Sequence, residues 1–234
     1  MDTCILFDVD GTLIDAGRAG SRAMAAAFRR LHGIENAFEG VVFDGMTDPW
    51  IIDRAAELRG LPPLDATSGE RQRFYECYLD ELRRLVHGGV ESRVHPGIRE
   101  LLDRFTGAGA ALALATGNIA AGAREKLSPH GLNDYFPVGG FGDDHRDRAE
   151  LTRLAAERAS RHCGVQFAPG RIVVVGDSVR DVMAARANGF RSVTVCTGWT
   201  SREKLLEMGP DLIFDDFSRP SPAAASILGC CDAG

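Results

Sequence analysis

Short apolar runs that stop abruptly at polar residues are the clearest pattern in this chain. Three such runs, at residues 4–7, 110–115 and 171–175, are each followed directly by a cluster of polar residues. Runs of this length that end at glycine and acidic residues are typical of buried β-strands. Two further apolar runs, at residues 192–196 and 211–214, predict additional strands near the end of the chain.

Between these runs, apolar residues recur at spacings of three and four, which predicts amphipathic helices over residues 98–105, 151–159 and 182–187. Strands that alternate with helices indicate a parallel sheet covered by helices on both faces. We therefore predict an α/β fold built on a doubly wound, Rossmann-like parallel sheet. In such sheets the functional site lies beyond the carboxyl ends of the strands, where the three polar clusters fall.

One long segment breaks this alternation and contains no convincing strand. Its apolar spacing predicts helices over residues 21–31, 50–58 and 69–85. We predict that these helices form a domain inserted after the first strand. The predicted boundaries are 16–93 for the helical domain, and 1–15 together with 94–234 for the α/β core domain.

Composition narrows the classes of function. The 234 residues are 44% hydrophobic and 26% charged, as is usual for a soluble globular protein. A net charge of −6 without a basic stripe argues against a nucleic-acid partner. No apolar run approaches the ~20 residues that span a membrane, and the N-terminus lacks a signal-peptide pattern. We expect a cytoplasmic protein with no membrane partner, either a monomer or a homodimer.

Carboxylates gather at two of the three predicted strand ends. Asp8 and Asp10 follow the first strand, and Asp177 and Asp181 follow the strand at residues 171–175. Each pair alone has a simpler explanation, either an Asp-Gly turn or acidic residues that cap a helix. Together, however, these acids would repel one another unless a hard divalent cation joined them. Oxygen ligands beside an incoming phosphate suit Mg²⁺.

The third strand end carries Thr116, Gly117 and Asn118. A hydroxyl and exposed amides at this position can hold phosphate oxygens, although an ordinary turn contains the same residue types. Because the carboxyl ends of parallel strands lie at the same edge of a sheet, we expect this segment to lie beside the two acidic clusters, which favours the phosphate-binding interpretation.

These segments, in this order, resemble the haloacid dehalogenase superfamily of hydrolases in its large phosphatase branch. The stretch ILFDVDGTL resembles the first motif of that family, ALATGN its second and IVVVGDSVRD its fourth. The similarity covers nearly the whole predicted core. The inserted helical segment matches the position of the family's cap, and it resembles the caps of phosphoglycolate-phosphatase-like and phosphoglucomutase-like members.

The resemblance implies a role for each matching residue. Asp8 would be the nucleophile and form an aspartyl-phosphate. Asp10 would protonate the leaving oxygen and then activate the hydrolytic water. Thr116, with Gly117 and Asn118, would bind the transferring phosphoryl group.

The resemblance also implies a set of metal ligands. Mg²⁺ would bind the side chain of Asp8, the backbone carbonyl of Asp10 and the side chain of Asp177. Asp181 would support the metal through water or hydrogen bonds.

The third motif of the family supplies a cation, normally a lysine, to the phosphate and the nucleophile. The matching stretch here, residues 145–150, contains no lysine, and the chain has only Lys126 and Lys204. Lys126 lies on the predicted helix after the second motif, so we expect it to be this cation and to contact the phosphate. Arg146 is the alternative.

A short segment of the inserted region, residues 45–48, resembles a loop that faces the active site in such caps. The same residues also suit a simple turn that opens a helix at Pro49, with Asp48 as its N-cap.

We predict a Mg²⁺-dependent phosphatase that hydrolyses a small phosphate ester through an aspartyl-phosphate. A phosphomutase like β-phosphoglucomutase is the alternative. A dehalogenase is a weaker alternative, because carbon–halogen displacement has no oxygen leaving group for Asp10 to protonate. A phosphonate hydrolase would need a Schiff-base lysine, and residues 16–93 contain none. A signalling receiver module would have no large insertion. The substrate itself is not identified.

Overall fold

A computed structural model describes residues 2–64, 69–89 and 91–231 of the chain. Its strands are β1 (Cys4–Phe7), β2 (Ile14–Asp15), β3 (Arg93–Val94), β4 (Ala111–Ala115), β5 (Val138–Gly140), β6 (Ile172–Gly176), β7 (Arg191–Val195) and β8 (Leu212–Phe214). Six of them form one sheet in the order β5-β4-β1-β6-β7-β8. All neighbours in this sheet run parallel.

Helices connect the strands and cover the sheet. They are α1 (Ala19–His32), α2 (Asp48–Leu58), α3 (Glu70–Gly88), α4 (Ile98–Gly107), α5 (Ala120–Leu127), α6 (Arg148–Cys163), α7 (Val179–Ala187), α8 (Arg202–Glu207) and α9 (Pro220–Cys230). The predicted α/β fold with a doubly wound parallel sheet is thereby confirmed.

Both faces of the sheet are apolar because successive side chains of each strand point to opposite sides. In β1, Ile5 and Phe7 belong to one hydrophobic cluster, which includes Phe105 of α4. Cys4 and Leu6 belong to another cluster on the opposite face, which includes Leu151 of α6. Strands buried on both faces read as continuous apolar runs, which is why the sequence pattern identified them.

The position of β1 between β4 and β6 determines where the site forms. Phe7 lies opposite Leu114 of β4 and opposite Val175 of β6. The chain builds one half of the sheet and then crosses to the other side of β1. The polar residues after these three strands therefore meet at one edge, as a change of direction in strand order requires.

Helices α1, α2 and α3 surround a hydrophobic cluster of their own, which includes Phe28, Phe74 and Tyr78. The chain leaves the core at β2 and returns at β3. These strands pair antiparallel, with Ile14 opposite Val94 and Asp15 opposite Arg93. The predicted boundaries at residues 15 and 93 fall on this ladder, and the division into two domains stays a prediction.

Several short elements were missed by the sequence pattern, among them the strands β3 and β5. β3 has only two residues, too few to show an alternation of apolar and polar side chains. β5 has the sequence Val-Gly-Gly, and glycine is unfavourable in strands unless its surroundings hold it. A membrane-spanning helix is not found among the described residues, since none of their helices is long and apolar enough.

Candidate active site

The turn after β1 brings Asp8 and Asp10 to the edge of the sheet. Gly11 has a φ of 79°, and a Cβ atom at this residue would lie 2.5 Å from Oδ2 of Asp177. Glycine is required there both by the left-handed backbone and by the close approach of the carboxylate. Thr12 adds a link between the two segments, because its hydroxyl donates to Oδ1 of Asp177 at 2.9 Å.

Asp8, Asp177 and Asp181 form a buried cluster in which one oxygen of each lies within 4.8 Å of the others. Burial raises the pKa of Asp8 to about 6, although Arg148 partly opposes it. Burial, with the nearby carboxylates of Asp8 and Asp181, raises the pKa of Asp177 well above its usual value. An oxygen-only donor set of three buried carboxylates fits a hard divalent cation.

Asp181 is held in place by Ser178 and Arg148. Its Oδ2 accepts hydrogen bonds from the backbone N–H of Ser178 at 3.1 Å and from the Ser178 hydroxyl at 2.7 Å. Its Oδ1 accepts from Arg148 at 2.5 Å. Both oxygens of Asp181 therefore already have hydrogen-bond partners, and its supporting role at the metal stays a prediction.

Asp10 points away from this cluster, toward Lys126 and the second motif. Nζ of Lys126 donates to Oδ2 of Asp10 and to Oδ1 of Asn118, both at 2.6 Å. The amide of Asn118 donates to the same Asp10 oxygen at 2.8 Å and to the Thr116 hydroxyl oxygen at 2.9 Å. The Thr116 hydroxyl also contacts Asp8. Asp10, Thr116, Asn118 and Lys126 thus form one connected network beside the nucleophile predicted from the sequence.

Lys126 stays charged although it is buried. Burial alone would lower its pKa, but the carboxylates of Asp10 and Asp48 outweigh burial and raise it. The ammonium group therefore supplies a permanent positive charge next to Asp10. A charged hydrogen-bond donor that is buried and paired in this way keeps its position for a reaction.

Arg148 is a buried cation that the sequence analysis did not single out. Its Nη2 lies 3.0 Å from Oδ2 of Asp8 and 2.5 Å from Oδ1 of Asp181. Burial would lower the pKa of this guanidinium, but Asp181 and Asp8 outweigh burial and raise it further. The available signal was its place in the stretch matched to the third motif: Asp147 is the N-cap of α6, so Arg148 opens that helix.

Arg146, the alternative cation of the third motif, lies elsewhere. Its Nη2 donates to Oδ2 of Asp53 in α2 at 2.5 Å, and its side chain is 56% exposed. Asp53 is also held by Arg71 of α3 at 2.9 Å. Arg146 therefore joins the loop before α6 to α2 of the helical segment.

The loop at residues 45–48 lies directly on the second motif. Thr47, not Asp48 as expected, is the N-cap of α2, and Asp48 is its first residue. The backbone N–H of Asp48 donates to the carbonyl of Gly117 at 2.7 Å, and its side chain accepts from the N–H of Ile119 at 2.9 Å. Burial raises the pKa of Asp48 to about 7. The helical segment is thus joined to the second motif through the backbone and the side chain of Asp48.

Asp48→Ala should lower the free energy of unfolding by about 1–3 kcal/mol, because it leaves the buried N–H of Ile119 without its acceptor. Asp48→Asn keeps an acceptor oxygen and should cost less than half as much. Urea denaturation followed by circular dichroism measures both variants. Equal losses for the two would show that the carboxylate charge, and not the hydrogen bond, stabilises this contact.

A cavity of about 670 Å³ lies between the helical segment and the carboxylate cluster. One end is formed by the predicted catalytic residues, including Asp8, Asp10, Thr116 and Lys126. The opposite wall is largely apolar. Its apolar side chains come from α1, α2 and the loop before α2: Met24, Val42, Phe43, Met46 and Ile51.

Known proteins with related sequences or structures match this chain over most of its length. A phosphoglycolate phosphatase of Agrobacterium fabrum is 32% identical over 231 residues, covering 93% of this chain and 90% of the relative. A probable phosphatase of Dickeya dadantii, IndB, is 27% identical, covering 97% and 96%. The crystal structure of CbbY from Rhodobacter sphaeroides in complex with phosphate is 25% identical, with a TM-score of 0.72, covering 97% of this chain and 100% of that one.

The family model for haloacid dehalogenase-like hydrolases matches residues 3–189. This range contains the three motifs, the helical segment and both buried cations. The match over most of the chain, with a relative above 30% identity along nearly its whole length, agrees with the resemblance seen in the sequence. The chain belongs to the haloacid dehalogenase-like hydrolases.

Proposed function

We propose that this hydrolase is a Mg²⁺-dependent phosphatase that transfers the phosphoryl group of a small metabolite to Asp8 and then to water. The observation that carries the proposal is the setting of Asp8. Its buried carboxylate lies between the guanidinium of Arg148 and the Thr116 hydroxyl, at the inner end of the cavity. Such a group can attack an electrophile that is held by the same surrounding donors.

In the first step, an oxygen of Asp8 attacks phosphorus while Asp10 donates a proton to the leaving oxygen. Thr116 and the charged Lys126 hold the phosphoryl oxygens where negative charge develops. Asp8 and Asp177, with Asp181 behind them, would hold the metal ion. When bound, that ion neutralises charge on the phosphate and lowers the repulsion that Asp8 must overcome.

In the second step, Asp10 takes a proton from water, which attacks the aspartyl-phosphate and regenerates Asp8. Asp10 suits this role because its side chain is 39% exposed, in contrast to the buried Asp8. Lys126 and Asn118 fix the Oδ2 atom of Asp10, so the carboxylate keeps one orientation through both steps.

Hydrolysis is favoured over the phosphomutase alternative by the relatives that are named phosphoglycolate phosphatase. Those relatives make phosphoglycolate the first substrate to assay, and the related IndB is named only as a probable phosphatase. The dehalogenase alternative leaves the network around Asp10 without a purpose. A cytoplasmic location stays a prediction.

Metal removal should abolish activity on a generic aryl phosphate, and Mg²⁺ should restore it. Mg²⁺ should also raise the melting temperature of the wild-type protein, because it binds the folded cluster and not the unfolded chain. Asp177→Asn should raise the Mg²⁺ concentration for half-maximal activity at least about tenfold, which corresponds to a loss of roughly 1.4 kcal/mol or more in the free energy of Mg²⁺ binding. It should also reduce the rise in melting temperature that Mg²⁺ causes.

Asp134→Asn is the matched control for this experiment, because Asp134 is exposed and lies outside the carboxylate cluster. It should behave as the wild type in both measurements. Full activity after exhaustive treatment with a chelator would contradict the proposed metal dependence.

A further inference from the structure

The cavity extends well beyond the residues that handle the phosphoryl group. At about 670 Å³, it has room for roughly 20 water-sized groups of about 30 Å³ each. The phosphoryl group occupies only the end formed by Asp8, Asp10 and Thr116. The remaining space must receive the rest of the substrate, so the side chains there decide which ester is accepted.

Arg18 is the cation on the cavity wall that lacks a carboxylate partner among the described residues. Lys126 pairs with Asp10, and Arg148 pairs with Asp8 and Asp181. His95 also lines the cavity, but burial lowers its pKa, so the ring is neutral near pH 7. The guanidinium of Arg18 instead lies over the ring of Trp199, with Cζ 5.1 Å from the ring centre.

Nearby acids on the same wall have partners of their own. Asp15 pairs with Arg93 at 3.0 Å, and Asp44 accepts a hydrogen bond from the Thr200 hydroxyl at 2.9 Å. Neither acid forms an ion pair with Arg18 among the described residues, so its positive charge remains available to a ligand in the cavity.

The Arg18–Trp199 pair lies close to the phosphate end of the cavity. Arg18 is two residues before Gly20, where a Cβ atom would be 2.9 Å from Nζ of Lys126. Trp199 follows Gly198, which packs against the side chain of Asp177. Because consecutive Cα atoms are about 3.8 Å apart, both residues are within the reach of a small molecule whose phosphate is bound at Asp8.

The backbone around Arg18 is also unusual. Arg18 has a φ of 60°, and it is the one non-glycine residue with a positive φ in the described part of the chain. An L-residue in this region costs roughly 1–2 kcal/mol. Strained residues of this kind cluster at sites that bind ligands. Its side chain is exposed, and that of Trp199 is 70% exposed, so both are accessible from the cavity mouth.

We propose that Arg18, stacked on Trp199, binds a second anionic group of the substrate. The substrate is then a phosphate monoester whose far end carries a carboxylate or a second phosphate. A guanidinium can donate two parallel hydrogen bonds to either group while its face rests on an aromatic ring. This inference rests on the proposed phosphatase function and adds to it the residue that selects the far end of the substrate.

Three phosphate esters of one carbon-chain length test the proposal, with free ends that are a hydroxyl, a carboxylate or a second phosphate. The Mg²⁺-loaded wild-type enzyme should show a kcat/KM at least tenfold higher for one or both anionic esters than for the hydroxyl ester. The anionic ester with the higher value identifies the group that Arg18 binds. Repeating the series with longer chains locates the optimal separation of the two anions.

Arg18→Gln should lower this preference ratio at least tenfold, mainly through a higher KM for the anionic esters. Arg18→Lys keeps the charge but lacks the paired donors of arginine. It should therefore lower the preference ratio less than Arg18→Gln does, by about threefold. Arg22→Gln removes an exposed arginine that does not line the cavity, and it should leave the ratio unchanged.

Two results would overturn the inference. One is a wild-type enzyme that hydrolyses all three esters with equal kcat/KM. The other is an Arg18→Gln variant in which all three values fall by the same factor, as expected if Arg18 only supports the helical segment. A wild-type enzyme that hydrolyses none of the esters, nor an aryl phosphate, would contradict the proposed phosphatase function itself, and the inference with it.

Discussion

Asp8→Asn should reduce phosphatase activity by roughly 10,000-fold or more, because it removes the proposed nucleophile on which both proposed steps depend. The amide is nearly the same shape as the carboxylate, and it replaces a buried acid whose pKa is already raised by burial. The variant should therefore fold. Steady-state kinetics with an aryl phosphate measures the loss, and circular dichroism confirms the fold.

Asp10→Asn should block mainly the second step, the hydrolysis of the aspartyl-phosphate. It keeps the nucleophile, and it should bind metal and phosphate, but it has neither the acid for the first step nor the base for the second. With an aryl phosphate whose leaving group needs no proton, it should react slowly and accumulate aspartyl-phosphate. Intact-protein mass spectrometry after rapid mixing should detect the added phosphate in this variant and none in Asp8→Asn.

The pair of variants can contradict the mechanism in two ways. Phosphate found on a residue other than Asp8 would assign the nucleophile elsewhere. Rapid turnover by Asp8→Asn would exclude covalent catalysis through this carboxylate altogether.

Lys126→Ala should lower kcat by about 100-fold to 1,000-fold, the usual cost of removing a preorganised charged donor from a transition state. The ammonium group also orients Asp10 and Asn118 through hydrogen bonds. Its loss should therefore slow proton transfer by Asp10 and weaken the binding of the phosphoryl group. Arg146→Ala is the matched control. It removes a half-exposed ion pair, for which a loss of about 1 kcal/mol or less is expected. If Arg146→Ala has the larger effect on kcat, the cation has been assigned to the wrong residue.

Arg148 requires a separate comparison, because it pairs with two buried acids. Arg148→Ala should destabilise the metal-free protein by about 3–5 kcal/mol, the usual penalty for removing one partner of a buried ion pair. Arg148→Lys keeps the charge and should fold, but it cannot reach both Asp8 and Asp181 with a planar pair of donors. Added Mg²⁺ should recover part of the lost stability, since a second positive charge then balances the same acids.

The sheet and its site edge could be predicted because both depend on local sequence. Continuous apolar runs identify strands that are buried on both faces, and the parallel order places their carboxyl ends together. Asp8 and Asp177 belong to neighbouring strands for this reason, and the structure brings them together with Asp181. The position of Lys126 follows from the helix that begins just after the second motif.

The other side of the site depends on how the helical segment lies on the core. No local pattern tells that Asp48 will contact Ile119, or that Arg18 will meet Trp199, since these partners are 71 and 181 positions apart in the chain. Arg148 was missed for a related reason. Three arginines lie close together at residues 146–153, and only the start of α6 determines which one turns inward.

The short ladder between β2 and β3 has a consequence for how such a protein changes over generations. Asp15 and Arg93 face each other across this ladder, so the chain leaves the core and returns to it at nearly the same point. Insertions, deletions or wholesale replacement between these residues need not alter the spacing of the strands that carry Asp8, Thr116 and Asp177. The helical segment, which lines the far side of the cavity, can therefore change in evolution while the residues proposed to carry the reaction keep their positions. Such an arrangement allows related proteins to differ in substrate.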